Sequence, residues 1–241
     1  MKKILLIIPA YNEAENLINV YNNVKNYNDL KIDYVIINDG SVDNTAEICQ
    51  KHKLNVINLV TNLGIGGAVQ TGYRYAFQNN YDVAVQFDGD GQHDINYLKN
   101  ICTPILEDNF DMCIGSRYLE KSSSEFQSTF MRRFGKNIIS FFTRIFTGVK
   151  ITDPTSGFRA VNKKIIKLFA EDYPTDYPEP ESIINLIKSG YSIKEVPVSM
   201  NERIGGKSSI NVFKSVHYML KVCISIIIDG LRFKSKKEKV K

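Results

Sequence analysis

The chain has 241 residues, of which 43% are hydrophobic and 24% are charged. This composition excludes a disordered protein, a collagen and a disulfide-stapled mini-domain, and the length suits one α/β domain with at most a modest appendage. The formal net charge is +5, but residues 231–241 hold six Lys/Arg and one Glu and account for all of it. The basic charge therefore belongs to a tail, which argues against a nucleic-acid groove.

The first half of the chain alternates short apolar runs with helix-periodic segments. Apolar strands that alternate with helices form a mostly parallel sheet covered on both faces, so the predicted fold class is α/β. Ligands bind beyond the carboxyl ends of such strands, and polar motifs follow the predicted strands, so five strand ends are expected to face one cleft. The predicted strands are 4–8, 34–38, 55–60, 82–87 and 112–115, and the helices are 15–27, a segment from about 43, 67–78 and 95–106.

Two segments of the second half combine an apolar face with basic residues, namely 125–149 and 210–230. Such helices lie in the plane of a membrane interface. For 210–230, burial in a core or in a homo-oligomer interface is the alternative. We predict one domain at 1–209, followed by an amphipathic helix and basic tail at 210–241. The Pro-rich stretch 172–181 is predicted to be a rigid loop that forms a wall of the site.

The sequence also carries signals of cellular location. No segment has the roughly 18 consecutive apolar residues of a membrane span. The N-terminal apolar run is short and ends at Pro9, which predicts a buried strand and not a signal peptide. The four cysteines lack CxxC spacing, as is typical of reduced cytosolic thiols. We expect a cytoplasmic protein that associates peripherally with the inner face of the cell membrane.

Two carboxylates follow the predicted strand 82–87. Asp88 and Asp90 flank Gly89, and positions i and i+2 of an extended chain point the same way. Two carboxylates placed so closely repel one another and favour a divalent cation, to which Gln92 can add an oxygen ligand. Oxygen ligands favour Mg²⁺ or Mn²⁺, which keep open positions for phosphate oxygens. The alternative is a solvated Asp-Gly turn.

Other turn motifs are weaker signals. The turn that begins at Asp39 can accept a hydrogen bond from a base or ribose, or it can be a helix-capping turn with Ser41 or Asp43 as N-cap. The glycines from Gly64 to Gly67 let backbone approach a ligand, but their spacing is not that of the dinucleotide fingerprint. The sequence GGKS at 205–208 is not a phosphate-binding loop, because the first glycine of that motif would fall on Asn201.

Together the motifs resemble one family over nearly the whole chain. They resemble family 2 glycosyltransferases, and most of all the branch of dolichyl- and polyprenyl-phosphate sugar synthases. The resemblance implies a GT-A fold, a nucleotide-sugar donor, a divalent metal and inversion at the anomeric carbon. The motifs are IIPAYNEAENL, NDGSVDNT, NLGIGGAVQTGYRYA, FDGDGQH, GSRY, DPTSGFRA and EVPVSMNERIGGKSS.

The resemblance also implies roles for individual residues. The residues expected to bind the nucleotide are Pro9, Ala10, Tyr11, Glu13, Asp39, Gly67 and Asp88. The expected metal ligands are Asp88, Asp90 and Gln92, and the basic residues of the loop that closes on the diphosphate are Arg203 and Lys207. The arginines expected at the acceptor phosphate are Arg117 and one of Arg132 and Arg133. The sugar and acceptor side is expected to be lined by Asp153, Ser156 and Gly157.

The chemistry of transfer fits these residue types. Breaking the bond between sugar and diphosphate builds negative charge on the nucleotide, which a metal on Asp88 and Asp90, with Arg203 opposite, neutralises. A lipid monophosphate has a second pKa of about 6, is mostly ionised at pH 7 and needs arginines rather than a base. A hydroxyl acceptor needs a carboxylate base, for which Asp153, Glu179 and Glu181 are candidates. Asp88, Asp90, Arg203 and Asp153 are thus the predicted catalytic residues.

The sequence therefore predicts an inverting, metal-dependent glycosyltransferase with Mg²⁺ or Mn²⁺ as cofactor. It is expected to move a sugar from UDP-glucose or UDP-N-acetylglucosamine to polyprenyl (undecaprenyl) phosphate, for cell-envelope glycan synthesis. UDP is favoured over GDP by the resemblance alone. One alternative is a transferase that extends a lipid-linked saccharide at a hydroxyl. The other is a non-catalytic nucleotide-sugar-binding or scaffold subunit.

Overall fold

A computed structural model describes residues 2–119 and 130–201, with the backbone alone for 130–134, together with Lys221 and Ile224. The strands are β1 (Ile4–Ala10), β2 (Ile32–Asn38), β3 (Val56–Asn58), β4 (Val83–Gln86), β5 (Met112–Ser116), β6 (Arg159–Asn162) and β7 (Ile193–Pro197). The α-helices are α1 (Leu17–Asn26), α2 (Thr45–Lys51), α3 (Gly64–Gln78), α4 (Leu98–Leu106), α5 (Phe130–Thr147), α6 (Lys163–Glu171) and α7 (Pro178–Lys188). A single 3-10 turn at Ile95–Tyr97 precedes α4.

The seven strands form one sheet in the order β3-β2-β1-β4-β6-β5-β7. Strand β6 is antiparallel to both of its neighbours, whereas every other adjacent pair is parallel. Six strands therefore run in the same direction, and their carboxyl ends meet at one edge. The predicted α/β class with a mostly parallel sheet is confirmed.

The central strand shows why the apolar runs form strands buried on both faces. Leu6 and Ile8 of β1 pack into a core with α1 and α4. Leu5 and Ile7 point the other way, into a core with α3 and α6. Burial of each such side chain contributes roughly 1.5–3 kcal/mol. A strand covered on both sides reads as a continuous apolar run, as the sequence of β1 does.

The second half departs from the sequence-based expectation in four elements, one of which is helix α6 (Lys163–Glu171), which was not predicted. Strands β6 and β7 were not predicted, because β6 has only four residues and begins with a charged one, and β7 mixes charged and apolar residues. The stretch 172–181 was predicted to be a loop throughout, and this is wrong from Pro178 onward, where α7 begins. Proline suits the first turn of a helix, whose N–H groups have no partner within the helix. The predicted boundary near 210 lies outside the described residues.

Helix α5 lies within the segment predicted to be amphipathic. Ile139 is buried, and α5 packs beside α7. Phe141 and Ile145 point outward, with 60% and 56% of their surface exposed. Among the helices of the described ranges, none is long and apolar enough to cross a bilayer.

Candidate active site

The loops that follow the central strands lie side by side at the carboxyl edge of the sheet. The backbone N–H of Asp39, after β2, donates to the carbonyl of Ala10 at 2.9 Å. The N–H of Gly89, after β4, donates to the carbonyl of Pro9 at 3.1 Å. The motifs around residues 9, 39 and 89 thus form one continuous surface, as expected for the strand ends of a parallel sheet.

The loops after β1 and β2 are also tied to each other. The N–H of Asn12 donates to Ser41 Oγ at 3.0 Å, and the N–H of Val42 donates to Asn12 Oδ1 at 2.9 Å. Glu13 is buried and accepts from Asn16 Nδ2 at 2.7 Å. Tyr11, in contrast, is exposed. Of the residues predicted to bind the nucleotide here, Tyr11 presents its side chain outward and Glu13 helps to shape the loop.

Asp39 connects the end of β2 to the start of α3. The carboxylate is buried, and its Oδ1 accepts from the N–H of Leu63 at 2.7 Å. Gly40 has φ of +64°, and a Cβ there would lie 2.7 Å from the backbone nitrogen of Asn62. Only glycine lets the two loops approach this closely. The N-cap of α2 is Asn44, which makes no side-chain capping hydrogen bond, so the alternative of Ser41 or Asp43 as N-cap is wrong. Asp43 accepts from the N–H of Thr45 at 3.0 Å.

The glycines after β3 are not the turn that was predicted. They lie in the first turn of α3, which begins at Gly64. A Cβ on Gly66 would lie 2.4 Å from the carbonyl oxygen of Thr175, so Gly66 is needed for close packing against the loop before α7. A Cβ on Gly67 would meet the side chain of Leu63. The nucleotide-binding role of Gly67 remains a prediction.

The metal motif is a turn and not an extended chain. Strand β4 ends at Gln86, and the chain turns at Gly89 and Asp90, so the expected alternation of an extended strand is wrong here. The Asp88 side chain is 31% exposed, and its Oδ1 accepts from Gln86 Nε2 at 3.2 Å. Asp90 Oδ1 accepts from the N–H of Gln92 at 3.0 Å. Each carboxylate thus accepts a hydrogen bond from within the segment 86–92.

A buried histidine supports this turn and was not predicted as a site residue. His93 Nδ1 accepts from the N–H of Asp88 at 3.0 Å, and its Nε2 lies 3.5 Å from Asp88 Oδ2. Its ring stacks on Phe158 with centroids 4.8 Å apart. Burial lowers the pKa of His93, although the charges of Asp88 and Asp90 oppose this. A neutral ring therefore holds the backbone of Asp88 through Nδ1, while Nε2 makes no hydrogen bond among the described residues. The position of His93 directly after DGDGQ was the available signal.

A glycine of the DPTSGFRA motif contacts the metal motif. A Cβ on Gly157 would lie 2.8 Å from Asp88 Oδ2 and 3.0 Å from Gln86 Nε2. The loop can pass the Asp88 carboxylate only because this side chain is absent. Ser156, beside it, is buried and uses its carbonyl to accept from Arg159 Nε at 3.1 Å.

Glu179 brings another carboxyl group to the same place from the start of α7. Arg159 Nη1 donates to its carbonyl oxygen at 3.2 Å, as does Ser182 Oγ at 3.1 Å. Burial raises the pKa of the Glu179 carboxyl, and the charge of Asp88 adds to the effect. The charge of Arg159 and a hydrogen bond from Gln86 oppose the rise. Glu179 thus lies near Asp88.

The donor atoms fit a hard divalent cation. Asp88, Asp90 and Gln92 offer only oxygen ligands from side chains, which suits Mg²⁺ or Mn²⁺. Within the described ranges no group of three or more His, Cys, Asp or Glu side chains could enclose a metal. Two carboxylates leave coordination positions for phosphate oxygens, as is usual for Mg²⁺ sites. Gly157 lets the DPTSGFRA loop pack closely against Asp88, where a Cβ would lie 2.8 Å from Oδ2.

Directly after β5, Arg117 forms a bidentate pair with Asp153. Its Nε donates to Asp153 Oδ2 at 2.7 Å, and its Nη2 donates to Oδ1 at 2.8 Å. The Asp153 side chain is fully buried, and that of Arg117 is 19% exposed. Burial alone would lower the pKa of Arg117, but the hydrogen bonds and charge of Asp153 outweigh it and raise that pKa. Arg117 is therefore a permanently charged group with a fixed orientation.

Lys136 on α5 adds a second positive charge near this pair. Its Nζ lies 4.3 Å from the centroid of the Tyr118 ring. Burial lowers the pKa of Lys136, and the charges of Asp153 and Glu195 oppose this. The side chains of Arg132 and Arg133, and the residues Arg203 and Lys207, lie outside the described residues.

The mostly parallel sheet, with the Asp88–Asp90 turn after β4, agrees with the GT-A fold that the sequence motifs imply. The chain belongs to the family 2 glycosyltransferases, because the family model described as "Glycosyl transferase family 2" matches residues 5–169. Among solved structures, a glucosyl-3-phosphoglycerate synthase of Mycobacterium tuberculosis in complex with Mn²⁺, UDP and phosphoglyceric acid has a TM-score of 0.68. It is 14% identical and covers 95% of this chain and 78% of that one. This likeness confirms the predicted fold.

The relatives lie in the branch that the sequence motifs indicate. One from Methanococcus voltae is named UDP-N-acetylglucosamine–dolichyl-phosphate N-acetylglucosaminyltransferase, and it is 35% identical over 217 residues, 82% of this chain and 85% of the relative. The polyprenol monophosphomannose synthase of Mycolicibacterium smegmatis is 26% identical over 230 residues, 92% of this chain and 86% of that one. The chain is thus a glycosyltransferase of the polyprenyl-phosphate sugar synthase branch.

Proposed function

We propose that this enzyme transfers a sugar from a nucleotide-sugar to the phosphate of a polyprenyl lipid, with inversion. The observation that carries the proposal is the Arg117–Asp153 pair, which lies near enough to the metal motif for the charge of Asp88 to help raise the pKa of Arg117. Both oxygens of Asp153 accept hydrogen bonds from Arg117. The carboxylate beside this arginine is therefore occupied as an acceptor and balances the charge of Arg117, while Lys136 adds a further positive charge near the pair. A phosphate acceptor needs such a charge and needs no base.

On the donor side, Asp88, Asp90 and Gln92 are the residues that would hold Mg²⁺ or Mn²⁺. When bound, the ion supplies positive charge for the diphosphate of the leaving nucleotide. The residues of the chain fix its position: His93 holds Asp88, and the backbone of Gln92 holds Asp90. Arg203 and Lys207 are proposed to reach the same diphosphate.

The proposed donor is a UDP-sugar, with N-acetylglucosamine or glucose as the sugar. The support is the Methanococcus voltae relative, whose name includes UDP-N-acetylglucosamine. The base and ribose would bind where the loops after β1 and β2 meet, beside Tyr11 and Asp39. The product would be a lipid-linked sugar for cell-envelope glycan synthesis.

We propose that the enzyme associates with the cytoplasmic face of the membrane, where its acceptor lies. Phe141 and Ile145 are exposed one turn apart on α5, and the cation Arg144 lies beside them. The tail 231–241 adds six basic residues. Each basic residue near an anionic leaflet contributes roughly 1 kcal/mol.

A flotation assay with anionic vesicles tests the membrane contact. The double variant Phe141→Ser/Ile145→Ser should bind less than the wild type at any salt concentration, whereas deletion of 231–241 should weaken binding most at low salt. Phe77→Ser is the matched control, because Phe77 is an exposed aromatic residue on α3. Equal binding by all variants would contradict the membrane role.

Transfer to a hydroxyl acceptor is the second candidate function, and Glu179 is the observation that favours it. Its carboxyl group lies near Asp88 with a raised pKa caused by burial. A carboxyl group in this position could accept the proton of an attacking hydroxyl. If the acceptor is a hydroxyl, Glu179→Gln should abolish transfer because the base is lost. If the acceptor is a lipid phosphate, the same variant should remain active.

The test is a panel of radiolabelled nucleotide-sugars, incubated with the enzyme and Mn²⁺ and with or without undecaprenyl or dolichyl phosphate. We expect label in the organic extract only when the lipid phosphate is present, and from UDP-sugars. Hydrolysis of the nucleotide-sugar without labelled lipid would favour a hydroxyl acceptor. No turnover by a correctly folded protein would favour the scaffold alternative.

A further inference from the structure

Glu195 of β7 carries a carboxylate whose hydrogen bonds all go to one short segment. Its Oε2 accepts from the N–H of Thr152 at 2.8 Å. Its Oε1 accepts from Thr152 Oγ1 and from the N–H of Asp153, both at 2.9 Å. Three donors on one carboxylate fix the backbone of residues 152–153 against the sheet.

That segment leads directly to Arg117. Asp153, whose backbone Glu195 holds, uses its own carboxylate for the bidentate pair with the guanidinium. A second connection runs through Thr152, whose Oγ1 lies 2.6 Å from Ser116 Oγ, next to Arg117 in the chain. The hydrogen bonds thus form a continuous path from Glu195 to the arginine.

The path decides how the guanidinium is oriented. Its Nε and Nη2 edge faces Asp153, and its Nη1 points towards Met200, 3.7 Å from Sδ. A bidentate pair sets the plane of the guanidinium as well as its position. If the 152–153 backbone moved, Asp153 would move with it and the plane of Arg117 would rotate.

We propose that Glu195 is a positioning residue for the acceptor phosphate, acting through Thr152, Asp153 and Arg117. The proposal rests on the function proposed above, in which Arg117 binds that phosphate. The sequence contained the signal, because Glu195 is the first residue of the quoted motif EVPVSMNERIGGKSS, but the sequence alone gave it no role.

A purely structural role is the competing explanation, and the fold offers a matched control. Asp111 also accepts three hydrogen bonds and also ties the chain around β5 to that around β7. Its donors are the N–H and Oγ of Ser192 and the Nδ2 of Asn162. Asp111 precedes β5 and Ser192 precedes β7, so this connection lies at the end of the parallel pair opposite to the active site.

The experiment compares Glu195→Gln with Asp111→Asn. Glutamine keeps the size of the side chain but places an amide where a carboxylate oxygen accepted a hydrogen bond. We expect Glu195→Gln to raise the KM for undecaprenyl phosphate roughly tenfold and to change the KM for the nucleotide-sugar less than about twofold. Asp111→Asn should lower Tm and leave both KM values as in the wild type. A Glu195→Gln enzyme with a lower Tm and an unchanged lipid KM would overturn the proposal.

The route through the arginine is tested by a double-mutant cycle. If Glu195 acts through Arg117, Glu195→Gln should add nothing to the lipid KM of Arg117→Ala, because residues in one network are non-additive. Additive effects would overturn the positioning role. If Glu195→Gln does not fold, Thr152→Val takes its place in the cycle, because it removes one hydrogen-bond donor to Glu195.

The same cycle separates this proposal from the function on which it rests. If Arg117→Ala raises the lipid KM and Glu195→Gln does not, only the role of Glu195 is overturned. If Arg117→Ala leaves the lipid KM unchanged, the acceptor site itself is wrong, and the positioning role is overturned with it.

Discussion

Two pairs of carboxylates in and around the sheet are built in opposite ways. The proposed donor side, Asp88 and Asp90, follows β4, and a third of the Asp88 side chain is exposed. On the proposed acceptor side, Asp153 and Glu195 accept hydrogen bonds with every carboxylate oxygen, and the Asp153 side chain is fully buried.

The difference shows how one residue type serves two purposes. A buried carboxylate is stable only when its oxygens are satisfied, and once satisfied it positions its partners. Carboxylates that reach a cleft close together favour a cation instead. Position near the strand ends therefore does not define the role of an acidic residue, whereas its burial and the identity of its partners indicate it.

The largest effect is expected on the donor side, from Asp90→Asn. Asparagine keeps an oxygen for the N–H of Gln92, so the turn should persist while the charge is lost. We expect kcat to fall on the order of 10²–10³-fold, with an unchanged Tm. Steady-state kinetics at saturating Mn²⁺ is the measurement, and an unchanged kcat would refute the metal assignment.

A smaller effect is expected where the two sides touch, from Gly157→Ala. The added Cβ would lie 2.8 Å from Asp88 Oδ2, so the carboxylate or the loop must shift. We expect kcat to fall roughly ten- to a hundredfold, since small displacements of catalytic groups are costly. A higher Mn²⁺ concentration should restore part of the activity. Wild-type kinetics would show that the position of Asp88 tolerates movement.

The smallest effect is on stability, from Asp111→Asn. Lost hydrogen bonds at Asp111 should lower the unfolding free energy by about 1–2 kcal/mol at pH 7. Burial alone would raise the pKa of Asp111, but hydrogen bonds from Ser192 and Asn162 outweigh it and lower that pKa. The contribution is therefore complete above the unfolded pKa of about 3.9 and is lost as pH falls through the folded value.

Chemical denaturation at several pH values measures this contribution. The difference between wild type and Asp111→Asn should be constant from neutral pH to about pH 5 and should shrink below about pH 4. A difference that grows on acidification would contradict the assigned hydrogen bonds.

The sequence predicts the first half of the fold well because its strands are buried on both faces. The apolar runs of β1, β2 and β4 come within two residues of the observed bounds. Strands β6 and β7 cannot be predicted in this way, because they are stabilised by tertiary contacts. Strand β6 begins with Arg159, whose guanidinium donates hydrogen bonds to Ser156, Ser182 and the carbonyl of Glu179. No local pattern records such partners.

The candidate site likewise has residues that the sequence reveals and contacts that it does not. Asp88 and Asp90 are recognisable because both lie in one short motif. The support of Asp153 by Glu195 joins residues 42 positions apart, and that of Asp88 by Gly157 joins two separate motifs. Spacing along the chain cannot reveal contacts of this kind, which emerge only from the structure.

The central claim is that Asp88 and Asp90 bind the metal, whereas Asp153 holds Arg117. Its most direct test is calorimetric titration of Mn²⁺, with UDP present, into the wild type, Asp90→Asn and Asp153→Asn, after Tm has shown that each variant is folded. The account predicts that Asp90→Asn weakens Mn²⁺ binding more than about tenfold, while Asp153→Asn binds Mn²⁺ within about twofold of the wild type. Equal losses in both variants, or undiminished binding by Asp90→Asn, would contradict it.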